Sequence, residues 1–159
     1  MERMILISMW GIGIVGFILF VPRKNRREGS LAALIFQSMI WGCDFPAFKY
    51  GLLSAPVREF PEASDLAITI NYFFYPVIFS IFYVHLRLKR SLWSKFSSFF
   101  LWVSALTLLD ITLEKYTDLL QYGLLTWYGM WIYIGFLFFI SLVCCNWFLK
   151  KSGVGTNEY

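Results

Sequence analysis

Five stretches of this chain are apolar with few interruptions, and each stops where charge or proline begins. The first, residues 4–21, ends at Pro22 and is followed by Arg23, Lys24, Arg26 and Arg27. The second, 30–45, is the weakest: it contains Gln37 and closes on Asp44-Phe45-Pro46. As a helix it would be about 24 Å long. The third, 66–86, is rich in Phe, Tyr and Ile and has Pro76 near its middle. A proline there frees the carbonyl of Tyr72, which predicts a kinked helix with Asn71 turned into the bundle. The fourth and fifth runs are 96–113 and 127–149, the last closed by Lys150 and Lys151.

The segments between these runs are short or polar. Residues 46–65 hold three prolines and several charges and read as a loop whose first part touches the membrane interface. Residues 114–126 read as a polar turn, and 152–159 as a mobile tail. A lipid-facing backbone must satisfy its own hydrogen bonds, so long apolar runs of this kind are helices. The predicted architecture is all-α: a polytopic transmembrane helical bundle of five spans in a single domain, residues 1–151, with a cytoplasmic tail.

Charge orients the bundle. With five spans, Arg23, Lys24, Arg26, Arg27, Arg87, Lys89, Arg90, Lys95, Lys150 and Lys151 share one side, and Arg3, Lys49, Arg58 and Lys115 the other. If the second run did not cross, the two sides would be equal. Lys and Arg concentrate on the cytoplasmic face. The N-terminus is therefore expected outside and the C-terminus in the cytoplasm. The first run carries its positive charge after the apolar stretch and lacks an Ala-x-Ala site, so it reads as a retained span and not a cleaved signal.

Composition agrees with this reading. Hydrophobic residues make up 58%, charged residues 15% and aromatics 21%, against about 45–50% hydrophobic and about 25% charged in soluble domains. The net charge of +4 comes from runs at span ends, so it forms no nucleic-acid footprint. Trp41, Tyr50, Trp93, Tyr116, Tyr122, Trp127, Tyr128 and Trp147 also collect at span ends, as an interfacial belt does.

Several motifs lose their usual chemistry in this setting. Gly11-Ile12-Gly13-Ile14-Val15-Gly16 matches a dinucleotide fingerprint literally, but it lacks the strand, the βαβ unit and the distal acid. Small residues inside a span instead allow helices to approach closely. Cys43, Cys144 and Cys145 form no CxxC pattern, and the adjacent pair points about 100° apart. His85, the single histidine, belongs to the cytoplasmic end of the third run. Asp110 sits about 20 Å along its own helix from that end, which separates the two. No catalytic set, metal site or cofactor motif emerges.

The remaining chemistry is on the outer side. Asp110 and Glu114 share one face of the fourth span, Asp110 about one turn inside the hydrocarbon. Asn71 reaches a similar depth in the third span. Asp44 caps the second span, and Trp127 and Tyr128 open the fifth. Ionisable residues inside a membrane are paired or functional. The expected site is a polar, aromatic-rimmed outer-leaflet depression with Asn71, Asp110, Glu114, Tyr122 and Trp127 as ligand-binding residues. Lys49 and Lys115 are its available cations.

Asn71-x4-Pro76 in a Phe/Tyr-rich span, then a basic turn with Trp93, then Glu114, Tyr122 and Trp127, resembles a family of small uncharacterised multispan membrane proteins of spore-forming Gram-positive bacteria. The likeness covers roughly residues 66–145. It implies a bacterial plasma membrane setting and the same helical architecture, and carries no activity over. Three functions fit the sequence. The first is a non-enzymatic membrane protein acting by association with lipid, with a protein partner or with itself. The second is a small transporter or channel subunit using the outer pocket. The third is a membrane-embedded enzyme on a lipid-like substrate, with Glu114 or Asp110 as acid or base.

Overall fold

The computed structural model describes residues 2–56, 68–89, 91–124 and 126–151. The expected tail and the loop positions Arg58, Glu59, Glu62 and Asp65 lie outside the described residues. Helix α1 (Glu2–Phe20) leads through a 3-10 turn at Arg23–Asn25 into α2 (Arg26–Lys49). Strand β1 is the pair Leu53–Ser54. A π-helical turn, Thr69–Phe74, runs directly into α3 (Tyr75–Leu88). Helix α4 (Leu92–Tyr116), strand β2 (Gln121–Tyr122) and α5 (Trp127–Lys151) complete the described chain. Five helical segments, the π turn and α3 counting as one, are long and apolar enough to cross a membrane.

The second helix departs most from the sequence reading. It does not end at Pro46 but continues to Lys49, so its 24 residues rise about 36 Å. Proline lacks the N–H that would bond Gly42, yet it sits in the last turn, where Phe45 and Pro46 are exposed and the lost bond is tolerated. The stop comes from Gly51, whose φ is +69°. Gly51 N–H donates to Phe48 O at 3.1 Å and Leu52 N–H to Ala47 O at 2.9 Å, the pairing of a left-handed glycine C-cap. Asp44 is consequently no cap. It lies inside α2, in line with the buried stripe Gly29, Ala32, Phe36, Ile40 and Ala47.

The disturbance expected around Pro76 takes the form of the π turn. The Tyr75 N–H reaches Ile70 O, five residues back, and the proline follows at the start of α3. Asn71 and Tyr75 both face the bundle interior from this region.

The third span is the central element: 72% of it is buried inside the protein, against 17% of α1. Phe79 and Phe82 of α3 pack with Phe36 of α2 and Phe138 of α5. Phe36 stacks on Phe79 at 4.6 Å, and Phe79 meets Phe138 edge-on at 5.1 Å. Helix α1 lies at the periphery. Its Trp10 stacks on Phe73 at 3.9 Å and donates from Nε1 to Thr69 Oγ1 at 3.0 Å. Within the glycine motif, Gly13 is the position of close approach: a Cβ there would stand 2.5 Å from Phe73 Cε1.

The loop after α2 and the loop after α4 meet at one end of the bundle. Leu53 pairs with Tyr122 and Ser54 with Gln121 in a short antiparallel ladder. Gly123 follows with so little room that a Cβ would come within 2.1 Å of Gly51 O. At the opposite end, Arg87 of α3 forms an ion pair with Glu28 of α2.

Candidate functional site

Two carboxylates are held inside the bundle near the end that carries the β1–β2 ladder. Each stands within two turns of its helix end, a rise of about 9 Å or less. Asp44 of α2 is 3% exposed and Asp110 of α4 is 0% exposed. Both continue apolar stripes. Asp44 follows Phe36 and Ile40 on α2, and Asp110 lies with Val103, Leu106 and Leu113 on α4. The helical period that buries those side chains therefore buries the acids as well.

Their partners come from the other two inner segments. Asn71, on the π turn and 4% exposed, donates from Nδ2 to Asp44 Oδ2 at 2.6 Å. The hydroxyl of Tyr133 on α5 donates to Asp44 Oδ1. The hydroxyl of Tyr75, at the start of α3, donates to Asp110 Oδ1. Asp110 Oδ2 is buried with no hydrogen-bond partner among the described residues. No Lys, Arg or His among the described residues forms an ion pair with either carboxylate. A cavity of about 20 Å³ lies against Asp44, Tyr75 and Tyr133, closed by Phe36, Leu106 and Phe138. That is room for about one water.

Of the five residues expected from the sequence, Asn71 and Asp110 belong to this network, on different carboxylates. Glu114 is half-buried one turn farther along α4 and bonds neither Asp44 nor Asp110. Tyr122 pairs its backbone with Leu53, and its side chain lies outside the described residues. Trp127 opens α5, 63% exposed, with its ring against Tyr128 at 5.7 Å. Lys49 is exposed at the end of α2, and Lys115 lies over the Tyr116 ring. Asn71 and Asp110 are themselves buried and hydrogen-bonded, each to a different partner.

The sequence reading misses the network roles of Asp44, Tyr75 and Tyr133. The legible signal for Asp44 is its place on the Phe36–Ile40 stripe, which the break assumed at Pro46 obscures. For the two tyrosines no local signal separates them from the many aromatics of the same spans. His85 is remote from this chemistry, its Nδ1–H donating to Ile81 O at 2.9 Å. No group of three or more His, Cys, Asp or Glu comes together among the described residues.

The fold and site define a class: five helical segments long and apolar enough to cross a membrane, four of which join in holding two buried carboxylates by hydrogen bonds. No protein-family model, curated protein or solved structure matches the chain.

Proposed function

We propose that this is an integral protein of the bacterial plasma membrane that translocates protons, as a small transporter or channel subunit, through Asp110 and Asp44. Its N-terminus is outside and its C-terminus is in the cytoplasm. The observation that carries the reading is the burial of both carboxylates without an ion pair to any described residue. A charge at that depth is costly and calls for a compensating partner. Hard metal cations take six or more oxygen ligands. Here the neighbours present hydrogens instead: one amide N–H and two tyrosine O–H groups. A proton is the positive charge that such a site accepts.

The two acids have different roles. Asp44 has both oxygens bonded and acts as the fixed member. Asp110 keeps Oδ2 for the mobile proton, with Tyr75 orienting the group through Oδ1. Toward the basic end, Ser80, Tyr83 and then Arg87 extend the polar positions of α3, and the buried Ser80 and Ser141 hydroxyls have no bond partner among the described residues. In this reading those hydroxyls continue the polar path toward the basic end.

Reconstitution into vesicles under an imposed pH gradient tests the proposal. The wild type should dissipate the gradient faster than protein-free vesicles. Asp110→Asn should abolish the difference while remaining folded and inserted. Wild-type vesicles indistinguishable from empty ones would overturn the proposal, as would full activity in Asp110→Asn.

A further inference from the structure

A second feature lies toward the basic end, on another face of α3. Helix α1 packs on the π turn and α3, whereas α4 packs chiefly on α5. Between α1 and α4 this leaves a groove of about 330 Å³. Gly16 opens the α1 wall, where an added Cβ would only touch Ile81 Cδ1 at 3.7 Å. Trp102 forms the α4 wall. Phe74 marks the deep end, and Phe20 and His85 mark the mouth.

The helical rise from Phe74 to His85 is about 16 Å. The hydrocarbon of one leaflet is about 15 Å, half of the roughly 30 Å core. The groove is therefore as long as one acyl chain lying in one leaflet, with its mouth at the interface.

That mouth belongs to the basic end. Arg23 and Lys24 lie in the turn after α1, Arg26 opens α2, and Arg87 and Lys89 stand at the end of α3. Glu28, the acid among the described residues there, is engaged by Arg87. Arg26 Nε is buried with no hydrogen-bond partner among the described residues, and its Nη2 contact to Ile18 O is long, at 3.5 Å. With Nδ1–H given to Ile81, His85 reaches a phosphate oxygen through Nε2–H in its imidazolium form.

We propose that the groove binds an anionic phospholipid of the basic-side leaflet, one acyl chain between α1 and α4 and the phosphate at His85 and Arg26. Shape selects the chain and charge selects the headgroup. The inference rests on the membrane reading above and is independent of the proton path.

Native mass spectrometry of the full chain in mild detergent tests this, using phosphatidylglycerol and phosphatidylcholine with identical chains. The wild type should retain one phosphatidylglycerol, with a preference over phosphatidylcholine of about fivefold or more, the scale of one basic contact at a membrane surface. Gly16→Leu should fill the groove and lose both lipids, while Gly16→Ala keeps them. The double variant Arg26→Gln, His85→Gln should retain lipid but lose the preference. Equal retention of both lipids by the wild type would overturn the proposal, as would unchanged retention in Gly16→Leu. A dimer that Gly16→Leu dissociates would assign the groove to a second copy and equally overturn it. Failure of the membrane reading would show separately, as recovery of the chain in the soluble fraction.

Discussion

The side-chain amide of Asn71 on the π turn donates to the Asp44 carboxylate of α2 at 2.6 Å, with both residues buried. Neither group could be left alone at that depth without the cost of an unsatisfied polar atom. The bond thus fixes the height and rotation of α2 against the third span. Tyr133 closes the other oxygen of Asp44 and draws α5 into the same arrangement.

A double-mutant cycle should measure this link. Asn71→Ala alone is expected to lower stability in detergent by about 1–3 kcal/mol, because it leaves Asp44 Oδ2 unsatisfied. Combined with Asp44→Ala, the coupling should fall near 0.6–1.7 kcal/mol, roughly the range of interhelical hydrogen bonds in membranes. Additive losses in reversible unfolding would show that the bond contributes nothing.

Tyrosine hydroxyls should rank by what they hold. Tyr75→Phe removes the bond to Asp110 and should cost about 1–3 kcal/mol, and proton movement should slow with it. Tyr83→Phe removes a 3.3 Å bond to Asn146, whose side chain is exposed, and should cost less than about 1 kcal/mol. Thermal melts of the two variants in one detergent give the order directly, and the reverse order would contradict the role of Tyr75 as the residue that orients Asp110.

The glycines of α1 should behave unequally. Gly13→Leu must displace the Phe73 ring that Trp10 stacks on, and should destabilise by about 1–3 kcal/mol. Gly11→Leu should change little, since an added Cβ there meets nothing within 4 Å. Equal effects of the two on the melting temperature would show that α1 docks differently.

Orientation can be read by labelling single cysteines on a cysteine-free background with an impermeant maleimide. Ser54→Cys, on the exposed side of the ladder between the loops, should react in intact cells. Asn25→Cys, in the 3-10 turn between basic residues, should react only after permeabilisation. The opposite pattern would invert the bundle and overturn the charge-based orientation.

The five apolar runs, the position of the basic clusters and the bundle architecture were legible in the sequence, because hydropathy and charge are summed over neighbouring residues and need no partner. The stripe that carries Asp44 inward was legible too, but a proline two residues on suggested that the helix had already ended. Gly51 decides that end, through a left-handed φ and two closing hydrogen bonds. What only the tertiary structure decided is which polar residues meet. Asn71 and Tyr133 lie 27 and 89 positions from Asp44, and Tyr75, rather than Asn71 or Glu114, reaches Asp110. Those meetings depend on the relative rotation and height of four helical segments, whose rings Phe36, Phe79, Phe82, Phe99 and Phe138 pack together at their centre. Local periodicity gives the face each residue occupies; only the assembled bundle gives its neighbour.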